Sequence, residues 1–144
     1  MADYASFVVF VRNQGVNTSV LPDGNQYLQY AYNIAVEVVN IDLSVISPII
    51  YDLCVYNLGM DNLINYAQDQ INQTFWQDLR SNFGVNAFVP GVIHESHDET
   101  TGQSLETPEI FKTMTISNLQ HLKTPYGRTY LQHAMQYGGL ITAV

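Results

Sequence analysis

The stretch "SPIIYDLCVYNLGMDNLINYA" constrains the fold more than any other. Ser47 is an N-cap residue, and Pro48 follows at the first helical position, where its missing N–H costs nothing. Behind them Ile49, Leu53, Tyr56, Met60, Leu63 and Ala67 alternate steps of four and three, the spacing of one helix face. Cys54, Val55, Leu58 and Ile64 widen the apolar surface beyond a narrow seam. A helix this apolar must be covered by other elements, so it is expected to be the central helix of a bundle. Asp52, Gly59, Asn62 and Asp69 are expected to form its polar stripe.

The flanking sequence supplies the cover. Tyr27, Tyr30, Ala31, Ile34, Ala35, Val38 and Ile41 follow the 3.6-residue period and predict an amphipathic helix over 25–41, with Asn33 and Glu37 off the stripe. Phe7, Val8, Phe10 and Val11 have helical spacing behind Asp3, a candidate cap, although the run would also suit a strand. "NQGVNTSVLPDGN" is punctuated as a loop. A short helix at "TFWQDLRSNF" is expected to close at Gly84 in the left-handed conformation. Residues 85–107 read as an irregular arm or β-hairpin, with its turn near Thr101-Gly102. "TISNLQHL" predicts a short helix capped by Thr115, and Thr124-Pro125 starts a last helix carrying Tyr126, Tyr130, Leu131, Ala134 and Met135. That helix is expected to stop at Gly138-Gly139.

The fold class expected is mainly α: a small helical bundle with an extended loop or hairpin arm and a C-terminal docking segment. The division is a helical core over about 25–84, an arm over 85–112, and a docking segment over 113–144, all in one domain. A chain of 144 residues is long enough for one core. Only 12% of it is charged, about half the usual share, which suits a subunit largely covered by neighbours.

Charge is segregated. Residues 1–110 hold all thirteen acids against Arg12 and Arg80, a balance of −11; residues 111–144 hold Lys112, Lys123 and Arg128 with no acid, a balance of +3. Five basic residues cannot build the concentrated basic face that binding to nucleic acid requires. Cys54 is the only cysteine, so no intrachain disulfide can form. The start has no basic n-region, and no run reaches 18 apolar residues. The expectation is a protein made in a cytoplasm, with no membrane partner.

"HESHDE" at 94–99 gathers metal-ligand residue types, but His94 and His97 lack the helical HExxH spacing, which favours a solvated loop tip over zinc. Cys54 could pair with His121 or His133 as a nucleophile; its place on the most apolar helix favours a core role. No GxGxxG, GxxxxGK[ST] or GxSxG occurs, and no catalytic residue, cofactor or metal is expected. Tyr126, Tyr130 and Tyr137 with Arg128 are residue types enriched where proteins meet, or else they pack the final helix.

"LPDGNQYLQYAYNIAVEVVN", "SPIIYDLCVYNLGMDNLINYAQDQ", "GVIHESHDETTGQSLETPE" and "LKTPYGRTYLQHAMQYGGL", in that order, resemble head-to-tail connector (adaptor) proteins of tailed bacteriophages over about Leu21 to Leu140. The resemblance implies a structural virion protein in the neck, forming a homo-oligomeric, twelve-fold ring under the portal and joining it to a tail or nozzle protein. DNA would pass through the ring without sequence-specific binding. Lys123, Tyr126, Arg128, Tyr130 and Tyr137 would belong to the segment that reaches the portal, and the first twenty residues, which match nothing in the family, would be a part that moves on assembly. Another ring-forming tail-completion protein is the alternative, followed by a small metal-dependent hydrolase using His94 and His97.

Overall fold

The computed structural model describes residues 1–86, 95–97, 102–104 and 116–142, with side chains described over 1–86 and 119–138. Within them the chain is mainly helical: α1 (Tyr4–Asn13), α2 (Gln26–Val38), α3 (Leu43–Ile46), α4 (Pro48–Tyr66), α5 (Phe75–Phe83), α6 (Ile116–His121) and α7 (Pro125–Thr142). Two short strands, β1 (Glu95–His97) and β2 (Gly102–Ser104), pair antiparallel with His97 opposite Gly102. Thr115 and Thr101, the expected cap and turn residues, lie outside the described residues.

Most helix boundaries follow from local chemistry. Asp3 accepts from the Ser6 N–H at 2.9 Å, and Asn25 accepts from the Tyr27 N–H at 2.9 Å. Ser47 caps α4 with Pro48 at its first position. The end of α5 takes Gly84 at φ 66°, where its N–H reaches the Ser81 carbonyl and that of Val85 reaches Arg80. The N-terminus of α5 is capped from a distance: the Asp69 carboxylate accepts from Trp76 N–H at 2.7 Å and Gln77 N–H at 3.1 Å.

The central helix is central, and it is buried on more sides than its apolar spacing suggested. Every residue from Asn57 to Ile64 is buried. Gly59 and Asn62, expected on a polar stripe, face inward, whereas Ile49 and Leu53, expected on the apolar face, are exposed. The amides tolerate this because they are satisfied: Asn57 donates to the Leu53 carbonyl at 2.8 Å, and Asn62 reaches the Ala31 carbonyl across the α2 interface at 3.4 Å. Gly59 is required by proximity, since a Cβ there would sit 2.6 and 2.8 Å from ring carbons of the fully buried Phe7.

Helix α2 is rotated from its expected setting. Leu28, Ala31 and Ala35 turn inward with Val39 just beyond, while Tyr30, Ile34, Val38 and Ile41 turn outward. Small alanines let α2 approach α4 closely, so they take the inside and the larger side chains are left outside. The helix also ends at Val38, and Asp42 starts the short α3 instead.

The core has two neighbouring parts. Phe7, Leu21, Leu28, Met60, Leu63 and Trp76 join α1, α2 and α5 around the C-terminal half of α4. Ala35, Leu43, Tyr51, Cys54, Val55 and Leu58 fill the N-terminal half, with Tyr130 and Tyr137 of α7 packed against them. The first twenty residues belong to this body: Phe7 lies 5.6 Å from the Tyr32 ring and 6.2 Å from Tyr56, and Val11, Val16 and Val20 are buried. At the other end, α7 runs through Gly138-Gly139 to Thr142, because glycine in a helix interior costs only about 1 kcal/mol and does not block the hydrogen-bond ladder.

Gly59→Ala is expected to lose about 1–2 kcal/mol, the overpacking against Phe7 exceeding the gain in helix propensity. Equilibrium urea unfolding of the two proteins measures it.

Candidate functional site

The corner between α6 and α7 is joined to α4 through one buried carboxylate. Asp61 is 0% exposed; one of its oxygens accepts from His121 Nδ1 at 2.7 Å and the other from the Thr124 hydroxyl. Since a carboxylate only accepts, Nδ1 carries the proton in this contact. Thr124 has a second task, accepting the Gly127 N–H at 2.9 Å as the N-cap of α7. Gly127 closes the corner between α6 and α7 tightly enough that any Cβ would overlap the His121 carbonyl. Arg128 then donates to the Leu122 carbonyl at 3.2 Å.

This arrangement orients a histidine against a buried carboxylate, as hydrolytic sites do, but the nearby hydroxyl cannot act as nucleophile. Thr124 gives its proton to the same carboxylate and is occupied as a helix cap. The triad of groups is a latch. Sequence reasoning missed Asp61, and weighed His121 only as one of two histidines that could pair with Cys54, a reading it set below a core role for that cysteine. The available signal was an acid amid the most apolar part of a helix, which burial obliges to find donors elsewhere in the chain.

Above Asp61 lies a cleft of about 580 Å³, with α4 as floor, Ile34 and Val38 of α2 as one wall, and Gln120 and His121 of α6 as the other. A smaller concavity of about 200 Å³ adjoins it at Val38 and runs over Cys54 toward Tyr130 and Ala134 of α7. Together they make a groove along α4 between α2 and the C-terminal helices.

The proposed portal-contacting residues separate by position. Tyr126 is half-buried, packing on the α1–α2 core and donating to Gln14 Oε1 at 3.3 Å. Tyr130 packs on the second core part, edge-on to His121 with ring centroids 5.7 Å apart, and Tyr137 packs beside it. Burial raises the phenol of Tyr126, and burial followed by the neighbouring Cys54 raises that of Tyr130. Lys123 is half-buried at the α6–α7 corner, and Arg128 is exposed. The outward strip of α7 is Arg128, Gln132, Met135 and Gln136. The three rings therefore hold the helix to its own body, and Arg128 is the one of the five that is exposed to solvent.

Cys54 is fully buried, and burial pushes its thiol up to about 11. His94 lies outside the described residues, and of His97 only the backbone, in β1, is described. Among the described residues no group of three His, Cys, Asp or Glu side chains could hold a metal ion. No helix among them is long and apolar enough to cross a membrane. Comparison with protein-family models, with curated proteins and with solved structures gives no match.

Two outcomes are expected. Asp61→Ala should cost about 3 kcal/mol, since two donors lose a buried acceptor, and amide hydrogen exchange should accelerate selectively at the α6–α7 corner. Native Cys54 should react with a thiol reagent at pH 8 at least about a hundredfold more slowly than in denaturant, because both its raised pKa and its burial suppress the thiolate.

Proposed function

We propose that the chain is the repeating subunit of a head-to-tail connector ring in a tailed bacteriophage, set between portal and tail. The observation that carries this reading is the apolar surface left outward by the bundle. Tyr30, Ile34 and Val38 face out along α2, and Val45, Ile46 and Ile49 protrude around the start of α4. Scattered apolar residues are normal on a surface, but a run of this kind marks a place where proteins meet. It suits a ring component covered by its neighbours, and the scarcity of charge points the same way.

The remaining parts take roles within that reading. The strip led by Arg128 on α7 faces the portal, with the tyrosines behind it as the support that keeps the strip rigid. Lys123 adds positive charge at the same corner. The β1–β2 pair belongs to an arm that reaches a neighbouring subunit or a tail protein. Arg12 and Arg80 are both occupied by backbone carbonyls, Arg12 at Val16 and Leu21 and Arg80 at Ile64 and Ala67, which leaves the acids of the body to dominate a DNA passage. Like charge keeps the DNA from adhering.

Because α7 is integral to the core, deleting everything after Thr124 would strip the cover from α4 and so cannot separate docking from folding. Charge reversal and a polar swap on the outer strip can: Arg128→Glu with Met135→Gln should abolish co-sedimentation with portal while the melting temperature stays within about 2 °C of the parent. Undiminished portal binding by that variant refutes the docking assignment. Binding to tail proteins with none to portal makes the chain a tail-completion protein instead.

A further inference from the structure

The groove along α4 holds a surplus of hydrogen-bond acceptors. Its floor contains Asp61, and no Lys or Arg is among its described lining residues. Asn62, which is 5% exposed, spends an amide N–H on the Ala31 carbonyl, and Asn65 spends one on the Asp61 carbonyl, which leaves the oxygen of each as an acceptor. His121 directs its Nδ1 proton to Asp61, so on a neutral ring Nε2 is an acceptor too. On the same α6 wall the Gln120 Oε1 is buried with no partner among the described residues.

Around these acceptors the surface is apolar, with Ile34 42% exposed and Val38 and Tyr66 both 53%. An apolar wall beside an acceptor-rich floor fits a side chain with an aliphatic stem and a donor-bearing cationic head, as in lysine or arginine. A cleft with low-dielectric walls concentrates the field of its buried carboxylate, which favours a cation there and disfavours phosphate or carboxylate. The two concavities together run along α4 from Cys54 to Tyr66, roughly 18 Å at 1.5 Å per residue. An extended polypeptide covers that length with about five residues, whereas a small amine leaves most of it bare. All three arginines of this chain already donate to backbone carbonyls within the fold, which points to a different protein over a second copy.

We infer that the groove between α2 and α6 is a docking site for an extended segment of another protein, which inserts one lysine or arginine side chain between apolar neighbours. The stem lies against Ile34 and Val38, and the cationic head reaches the Asn62 and Asn65 oxygens beside His121. The apolar neighbours cover Tyr66 at one end and the concavity over Cys54 at the other. The inference goes beyond the connector reading and does not depend on it, since the portal contact proposed there is the outer strip of α7.

Three probes with one stem and different heads test it: n-butylguanidinium, 1-butanol and butyrate. Titrated into the isotope-labelled full chain, butylguanidinium should shift the Asn62 and Asn65 side-chain amide resonances saturably, with a dissociation constant of about 1–10 mM for so small a ligand. Butanol should bind at least about tenfold more weakly, and butyrate should not bind. A capped peptide, Ser-Leu-Arg-Leu-Ser, should compete with butylguanidinium and bind at least about tenfold more tightly, because it fills more of the groove. Asn65→Leu removes an acceptor at a half-buried position, and Ile34→Ser removes stem contact at an exposed one. Each should weaken the peptide at least about fivefold while the melting temperature stays within about 2 °C of the parent. Absence of a saturable shift, or butanol that binds as well as the cation, overturns the inference. A peptide no tighter than butylguanidinium makes this a site for a small amine and overturns the polypeptide occupant. Self-association of the chain that the peptide displaces overturns it in favour of a second copy. Undiminished peptide binding by both folded variants places the contact elsewhere and overturns it as well.

Discussion

A single carboxylate in the middle of α4 fixes the corner between the two C-terminal helices, α6 and α7. Burying an ion is costly unless its lone pairs are met by donors, and the Asp61 carboxylate meets its requirement with groups sixty and sixty-three residues away. The histidine ends one helix and the threonine begins the next, so satisfying the charge also fixes the angle between them. Gly127 then allows the two backbones to meet at that corner. With the corner fixed, Tyr130, Leu131 and Tyr137 fall on the side of α4 that α2 leaves uncovered. The groove is a by-product of the same geometry: α6 stands off α2 by the width the latch dictates.

Other charges in the body serve as similar joints. Arg12 gathers the carbonyls of Val16 and Leu21 and pairs with Asp23, closing the loop between α1 and α2. Arg80 reaches from α5 to the carbonyls of Ile64 and Ala67, satisfying the end of α4 where helical donors run out. Asp69 does the reverse for the start of α5. With both arginines of the body used at its joints, the charge left on the surface of the body is acidic and sparse, as at Glu37, Asp42 and Asp78. Amides and apolar side chains share that surface, a composition that favours contact with other proteins over isolation in water.

Local chemistry made the ends of helices legible in the sequence, but not their faces. Asp3, Ser47-Pro48, Gly84 and Thr124-Pro125 mark boundaries because capping involves groups within a few residues of one another. Which side of a helix points inward depends on its neighbours. In α2 the periodic stripe held both alanines and large residues, and close approach to α4 selected the alanine side together with Leu28. In α4 the spacing puts Asn62 on the polar stripe, yet its amide reaches the Ala31 carbonyl and can be buried. The latch was illegible for a related reason. Nothing in the spacing of Asp61, His121 and Thr124 indicates proximity, and only the energetic demand of a buried acid hints at a distant partner.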